Sequence, residues 1–316
     1  MCFMERREFI KTMGVSAASL ALGGSVLSAC GGGQQKAAAP LKALPSFGLI
    51  SGSSGAWHSD GALEGLKKIA EWGYTELEGG IGRGMEIADF LAMIEPLGLK
   101  PVVGSVGIDA ISDKEMLIPA IERAQKIGQK YLTCYWPWGR YSGDKPLDQR
   151  TIDDWKMATD HMNKGAELFK KSGVQFIFHN HDMEFIPING QVPFDTMMAG
   201  LDPSIGIQLD VYWVARAGQD PVKYLTKYPG RFPVLHVKDM PADVQPAPGT
   251  EIVGGRLKVT EADFAVIGSG VVDFPAIFNV NDISGAKHFI VEADNPPGGM
   301  ASFIELSAKY LRELRF

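Results

Sequence analysis

Short apolar runs alternate with longer amphipathic segments from about residue 47 to residue 316. Short apolar runs predict strands, and several of these are apolar on both faces, as parallel strands covered by helices are. Eight runs are predicted as strands: FGLIS (47–51), YTELEG (74–79), KPVVGSV (100–106), KYLTCYW (130–136), VQFIFHN (174–180), IGIQLD (205–210), FPVLHVKD (232–239) and HFIVEAD (288–294).

The segments between these strands carry helical signals. In GALEGLKKIAEWG the apolar residues recur at helical spacing, and they are Leu63, Leu66, Ile69 and Ala70. The segment TIDDWKMATDHMNKGAELFKKSG is predicted as one helix that begins after the N-cap residue Thr151 and ends at Gly173.

Eight strand–helix units favour an α/β fold of the (β/α)₈ TIM-barrel type, in one domain over residues 47–316. A doubly wound sheet would need a Gly-rich phosphate turn after its first strand, and SGSSG (51–55) is not that motif. Residues 240–272 fit the alternation of strands and helices least well. We expect a long loop over the barrel mouth there, followed by a helix that starts at Asp273.

Composition narrows the classes of function. The chain is 45% hydrophobic, with a formal net charge of −6 and a pI near 5.6. Nucleic-acid binding depends on Lys and Arg that neutralise phosphates, so DNA and RNA are not expected partners. Three cysteines, Cys2, Cys30 and Cys134, cannot build a disulfide framework.

The first 46 residues are not predicted to belong to the barrel. RREFIK (6–11) resembles a twin-arginine export signal, with Glu5 where Ser or Thr is usual, and LSAC resembles a lipobox that ends in Cys30. We predict an export signal over 1–29, lipidation of Cys30 and a flexible tether over 30–46. The protein would then be exported and anchored to the cell envelope by lipid alone. The alternative is an ordinary amphipathic N-terminal helix.

Candidate chemistry lies where the predicted strands end. The polar residues at these ends are Glu78, His179 to Glu184, Asp210, His236 with Lys238, and Glu292. Taken singly, a strand-end Asp is more often a helix cap, and a buried His more often a hydrogen-bonded core group. In a barrel these ends meet at one mouth, where carboxylates buried together without a cation would be costly. The pattern therefore predicts a metal site.

HNHDMEF, LDVYW, HVKDM and VEAD, in this order and spacing, resemble the xylose isomerase-like TIM-barrel family, in its sugar phosphate isomerase/epimerase branch. The similarity covers about residues 47 to 314. It implies one divalent metal held by Asp210, His236, Glu292 and an acidic residue near the end of the fifth strand. We expect Glu184 to be that fourth ligand, with His179 and His181 as alternatives. Trp213 stands where some relatives carry a second His, which disfavours a multi-zinc, endonuclease-like site.

The resemblance also implies a reaction. A metal of this type, Mn²⁺, Mg²⁺ or Co²⁺ with Zn²⁺ possible, assists removal of the proton next to a sugar carbonyl. Glu292 and Glu184 are the expected acid–base pair. Lys238 is expected to donate to the developing oxyanion, or else to pair with Asp239, and His181 to shuttle protons or to hold a substrate hydroxyl.

Four residues are predicted to contact the sugar: Glu78, His179, Trp136 and Trp213. An exported enzyme would meet keto-sugars or keto-glycosides, so we expect an isomerase or epimerase. A lyase that acts on a 3-keto-glycoside by β-elimination shares the first half of the reaction and is the alternative. A lipid-anchored sugar-binding protein without catalysis is the second alternative.

Overall fold

Eight parallel strands close into a barrel in the computed structural model, which describes residues 41–50, 61–82, 84–244 and 259–316 and the backbone of 252–253 and 256–257. The barrel strands are β1 (Gly48–Ile50), β2 (Glu76–Glu78), β3 (Lys100–Ser105), β4 (Tyr131–Cys134), β5 (Gln175–His179), β6 (Gly206–Asp210), β7 (Val234–Val237) and β10 (His288–Val291). Their order is β1-β10-β7-β6-β5-β4-β3-β2. The predicted TIM barrel and all eight predicted strands are confirmed, although each strand is shorter than its apolar run. A small antiparallel pair, β8 (Ile252–Val253) and β9 (Arg256–Leu257), lies between β7 and β10 in the chain.

Helices cover the outside of the barrel. They are α1 (Ala62–Glu71), α2 (Ile87–Ile94), α3 (Ile108–Ile111), α4 (Lys114–Ile127), α5 (Ile152–Asn163), α6 (Ala166–Ser172), α7 (Pro193–Gly200), α8 (Val211–Arg216), α9 (Pro221–Lys227), α10 (Phe274–Asn279), α11 (Asn281–Ser284) and α12 (Met300–Glu313). Among the helices of the described residues, none has the length and apolarity that a membrane span requires.

Helix α1 follows the predicted apolar stripe with one exception. Leu66 and Ile69 are buried, and Ala70 is partly buried against the core. Leu63 is 38% exposed, because the buried position of the first turn is taken by Ala62.

The helix predicted over residues 151–173 is two helices, α5 and α6. Thr151 caps α5 as predicted, with its side chain accepting from the backbone N–H of Asp154. The break falls before Gly165, where an added Cβ would lie 2.9 Å from Cγ2 of Ile111. We attribute the break to this close packing of the turn against Ile111, a long-range contact that local periodicity does not report.

The described part of the segment after β7 packs over the mouth. Phe264 lies 5.1 Å from the ring of Tyr212, and Arg216 donates to Asp263 at 2.9 Å. Asp273 caps α10 at the predicted place.

The barrel body begins earlier than the predicted boundary at residue 47. Lys42 and Phe316 exchange two backbone hydrogen bonds, and Ser46 donates to Glu76 at 3.0 Å. The last residues of the predicted tether are therefore attached to the barrel. The predicted export signal, Cys30 and the tether up to residue 40 lie outside the described residues.

Candidate metal centre and catalytic site

Four strand ends bring four potential metal ligands together. They are His179 at the end of β5, Asp210 at the end of β6, His236 in β7 and Glu292 just after β10, and one ligating atom of each lies within 4.8 Å of the others. The register aligns them, since His236 pairs with Asp210 on one side and with Ile290 on the other. Three are fully enclosed, and the Glu292 side chain is 15% exposed, so it is the member that reaches toward the mouth.

The ligating atoms that face each other in this group complete no hydrogen bond within the described part of the chain, although they approach one another and Lys238 as ion pairs, with Nδ1 of His236 2.6 Å from Oε2 of Glu292. They are Nδ1 of His179, Oδ2 of Asp210, Nδ1 of His236 and Oε2 of Glu292. Buried polar atoms are nearly always satisfied, so four ligating atoms that meet at one point without a completed hydrogen bond fit a cation site better than a hydrogen-bonded corner. Two imidazoles and two carboxylates fit a divalent cation such as Zn²⁺, Mn²⁺ or Co²⁺.

The carboxylate of Asp210 is held so that one oxygen stays available. Its Oδ1 caps α8 by accepting from the backbone N–H groups of Tyr212 (2.9 Å) and Trp213 (3.1 Å). Asn180 holds the Asp210 backbone on the other side at 2.9 Å. Burial raises the pKa of Asp210 to about 6, although Lys238 opposes the shift.

Glu78 fixes the orientation of His236. Nε2 of His236 lies 3.0 Å from both oxygens of Glu78, which also accepts from Tyr135 (2.5 Å) and Gln208 (2.7 Å). A carboxylate on one ring nitrogen leaves the other nitrogen free for a metal and raises its basicity. Glu78 was expected to contact substrate. It is instead fully buried with its oxygens occupied, so it orients a ligand.

Negative charges outnumber positive charges around His236 and Lys238. Four carboxylates surround these two basic groups: Glu78, Asp210, Glu292 and Asp294. Burial disfavours the charged imidazolium, but Glu78 and Glu292 raise the pKa of His236 to about 10. Burial alone would raise the pKa of Glu292, yet Lys238 and His236 hold it well below its usual range. A divalent cation would displace the ligating proton of His236, which binds a metal as a neutral imidazole, and would offset most of the negative charge.

Lys238 is enclosed between carboxylates and aromatic rings. Its Nζ lies 3.2 Å from Asp210 and from Glu292 and donates to Asp294 at 2.9 Å. Burial disfavours its charge, but these carboxylates raise its pKa well above the usual value. The rings of Tyr212, Trp213 and Phe264 lie 5.2 to 5.7 Å from Nζ. Lys238 is therefore a permanent cation that fixes Asp210 and Glu292, and the alternative pairing with Asp239 does not form.

Glu184, the ligand expected from the sequence, is not in the group of four. Its Oε2 accepts from the backbone N–H of His181 at 2.8 Å, because the short 3₁₀ turn Met183–Phe185 folds it back beneath the loop. Burial raises the pKa of Glu184 to about 8. His179 replaces Glu184 in the candidate ligand set, and burial holds the pKa of His179 well below its usual value, so it offers a neutral imidazole.

The family is decided by a family model, "Xylose isomerase-like TIM barrel", that matches residues 66–314. The chain belongs to this family. The expected resemblance is thus confirmed at the level of fold and family.

Several of the curated relatives are inosose dehydratases. The protein from Geobacillus kaustophilus is 25% identical over 248 residues, which cover 73% of this chain and 80% of the relative. The protein from Clostridium beijerinckii is 28% identical over 165 residues, covering 51% of this chain and 55% of the relative. The match to the latter thus spans little more than half the length of that relative.

Solved structures share the barrel. A sugar phosphate isomerase/epimerase from Parabacteroides distasonis superposes with a TM-score of 0.66 at 24% identity, covering 88% of this chain and 95% of that one. A 3-keto-D-glucoside 4-epimerase from E. coli gives 0.59 at 18% identity, covering 85% and 99%. The IOLI protein with a bound zinc atom gives 0.61 at 14% identity, covering 84% and 95%. At these identities the likeness is one of fold.

The other residues predicted to act on or contact the substrate differ in how far they are buried. His181 is half-buried, with its ring 5.7 Å from that of Trp136 and 5.5 Å from that of Trp213. Burial lowers the pKa of His181 to about 3, so it is a neutral imidazole at the mouth. Trp136 is half-buried and accessible. Trp213 is only 1% exposed, and it packs against His181 and Lys238 on their buried side.

The sequence prediction missed the residues that orient the ligands. Gln208, Tyr135, Asn180 and Asp294 each contact a member of the site or Glu78. Gln208 had a readable signal, because it lies two residues before Asp210 in an otherwise apolar strand and so shares its inward face. The other three stand at the ends of predicted strands, and Asn180 and Asp294 belong to the motifs HNHDMEF and VEAD, but nothing in the sequence assigned a role to any of them.

Proposed function

We propose that the protein is a divalent-metal lyase that removes the proton next to the carbonyl of a keto-sugar or keto-glycoside and eliminates the substituent on the following carbon. The observation that carries the proposal is the convergence of four unsatisfied ligating atoms at the barrel mouth. The names of the curated relatives, inosose dehydratases, support elimination from a cyclic keto-polyol.

A divalent cation held by His179, Asp210, His236 and Glu292 supplies Lewis-acid stabilisation of negative charge on a carbonyl oxygen. The protein's own groups do the remaining work. Glu292 is the proton acceptor, because it is the member of the group that reaches solvent and because Lys238 and His236 keep it ionised. Lys238 is a positioning residue, since its Nζ is enclosed by three carboxylates. His181 and Trp136 border the open side, where the sugar enters.

Elimination is favoured over proton return by the position of Glu184. Epimerisation with two carboxylates requires the second one to face the substrate. In this chain Oε2 of the expected second carboxylate accepts from the backbone N–H of His181, and although Oε1 completes no hydrogen bond among the described residues, Glu184 lies outside the group of four candidate ligands. Elimination needs only one carboxylate base, with the proton passing to the departing oxygen.

An isomerase or epimerase of keto-sugars is the second candidate. It uses the same ligands and the same first proton transfer. The names of the solved structures that share this fold, a sugar phosphate isomerase/epimerase and a 3-keto-D-glucoside 4-epimerase, support it.

The test is deuterium incorporation from D₂O into a panel of inososes, keto-hexoses and methyl 3-keto-glucosides, with products identified by mass and NMR. Purified protein is compared before and after treatment with a chelator, and after metal is restored. Metal-dependent formation of an unsaturated ketone supports the lyase. Exchange with an inverted or shifted carbonyl product, and no unsaturated ketone, supports the isomerase. Protein that binds metal but catalyses no exchange on any member contradicts both.

We also propose export and lipid anchoring, which rest on RREFIK and the LSAC sequence that ends in Cys30. Fractionation of cells that express wild type or Cys30→Ala tests this. The wild type is expected in the membrane fraction and the variant in the soluble fraction, and an unchanged distribution contradicts the lipid anchor.

A further inference from the structure

A groove of about 1170 Å³ lies beside the metal centre, between the loop after β4 and the loop after β5. None of the four candidate metal ligands lines it. Pockets that enclose one drug-sized ligand are usually ~300–1,000 Å³, so the groove offers more room than a single sugar ring needs.

Trp136 joins the groove to the catalytic mouth. Its half-buried ring lines the groove and also lies 5.7 Å from the ring of His181. Asp182, which follows His181 in the chain, also lines the groove. A substrate whose reacting ring lies at the metal centre can therefore extend past Trp136 into the groove.

The groove wall contains buried N–H donors that have no acceptor within the described part of the chain. They are Nε1 of Trp138, Nε1 of Trp155 and Nε of Arg150, and these three residues are 8%, 2% and 6% exposed. The donors form one unit, since the guanidinium of Arg150 lies 4.2 Å from the ring of Trp138, which packs at 4.7 Å against Trp155. These N–H atoms are themselves closed off from solvent, so they belong to the wall, whereas Asp144, Asp148 and Asn189 offer exposed polar side chains along the groove to the hydroxyl groups of a sugar.

Arg150 also shapes the wall. Its two terminal nitrogens donate at 3.1 Å to the backbone oxygens of Ser142 and Gly143, which line the groove. The wall is thus held in place by a buried cation, which also lies 3.9 Å from Oδ1 of Asp154.

We propose that this groove binds the leaving group of a keto-glycoside, a second sugar joined to the reacting ring by the glycosidic oxygen. The inference rests on the proposed lyase for its chemistry. In a 3-keto-glycoside the proton on C2 lies next to the carbonyl, and the glycosidic oxygen on C1 is the β-substituent. The C2–H bond breaks, a C1–C2 double bond forms, the C1–O bond breaks, and the proton passes to the departing oxygen. The products are an unsaturated keto-sugar and a free sugar, with no change in oxidation state overall.

Calorimetric titration of the metal-loaded protein with methyl β-glucoside, cellobiose and maltose tests the groove without requiring turnover. At least one disaccharide is expected to bind about tenfold more tightly than the methyl glucoside, because only the disaccharide makes the additional groove contacts. Equal affinities for all three would overturn the proposal.

Two variants test the groove wall. Trp138→Phe keeps an aromatic ring but shortens the wall on which Arg150 packs, so it should weaken disaccharide binding about fivefold, the scale of one aromatic contact. Asp148→Trp places a bulky side chain at an exposed position of the groove and should abolish the disaccharide advantage. The matched controls are Trp72→Phe, after α1 at the opposite end of the barrel, and Asp153→Trp, on the exposed face of α5. Neither control should change binding.

A kinetic experiment compares the turnover of methyl 3-keto-glucoside with that of 3-keto-cellobiose, because the two substrates share the reacting ring. A higher kcat/KM for the disaccharide that Asp148→Trp removes, with the methyl glycoside unaffected, supports the groove. Equal kcat/KM values contradict it while leaving the proposed lyase intact. If neither substrate is turned over, the lyase fails, and the binding titrations decide the groove.

Discussion

Two buried aspartates at the ends of neighbouring strands have opposite surroundings. Asp239, after β7, accepts four backbone N–H groups, from Met240, Gly268, Gly270 and Val272, at 2.8 to 3.1 Å. One oxygen of Asp210, at the end of β6, caps α8, and the other completes no hydrogen bond among the described residues and lies 3.2 Å from Nζ of Lys238. Both residues are fully buried.

The difference teaches that burial alone does not separate a structural carboxylate from a candidate ligand, which needs both an oxygen without a completed hydrogen bond and other ligating atoms beside it. Asp239 fixes the loop after β7 and has no lone pair left over for a ligand. Asp210 keeps an oxygen available, and three other residues keep a matching atom available beside it. Four experiments test the contrast, and a fifth examines a satisfied carboxylate nearer the surface.

The largest expected effect follows from removing the base. Glu292→Gln keeps the size of the side chain but cannot accept the proton and is a weaker candidate ligand, so turnover should fall by about 10³-fold or more even at saturating metal. The circular dichroism spectrum should be unchanged. Deuterium exchange in the same assay measures the loss, and full exchange in this variant would remove Glu292 from the mechanism.

Asp239→Ala should damage the fold rather than the metal site. Four N–H groups lose their acceptor, and the free energy of unfolding should fall by about 3–5 kcal/mol. Urea denaturation of metal-free protein measures it. A loss below about 1 kcal/mol would mean that water replaces the carboxylate.

Asp210→Asn should show the reverse pattern. The metal-free protein should retain its stability, because the change removes a buried charge, while metal affinity should fall by at least about 100-fold. Competition with a chromophoric chelator measures the affinity. Unchanged metal content would exclude Asp210 from the site.

Glu78→Gln distinguishes orientation of a ligand from contact with substrate. Loss of the carboxylate behind His236 should reduce metal affinity by about 10–100-fold. At saturating metal the KM should stay close to that of the wild type. A raised KM with unchanged metal affinity would restore the substrate role predicted from the sequence.

The smallest effect concerns Asp154, which accepts from Lys145 and Thr151, each at 2.6 Å. Burial opposes its charge, but these donors lower its pKa to about 2. A lowered acid pKa contributes stability that is complete above about pH 4 and is lost as the pH falls toward 2. Asp154→Asn should remove about 1–2 kcal/mol at pH 7 and flatten the acid limb of the unfolding curve. An unchanged acid limb would contradict this pairing.

The strands could be predicted because a strand that is buried on both faces requires a continuous run of apolar residues. The split of the helix at Gly165 could not, since it depends on Ile111, which is distant in the chain. In the same way Asp210, His236 and Glu292 could be named from strand ends, whereas the choice between His179 and Glu184 depended on a backbone turn that aims one carboxylate away.

The hydrogen bonds behind His236 bear on how the barrel keeps its alignment. Thr133 in β4 donates to Gln208 in β6, Gln208 donates to Glu78 in β2, and Glu78 holds His236 in β7. Four strands that are mostly not neighbours are thereby joined through the lumen. A one-residue slip of any of them would turn its polar side chain outward and break the series. The interior of the barrel therefore specifies register by polar pairing, in addition to the apolar packing outside.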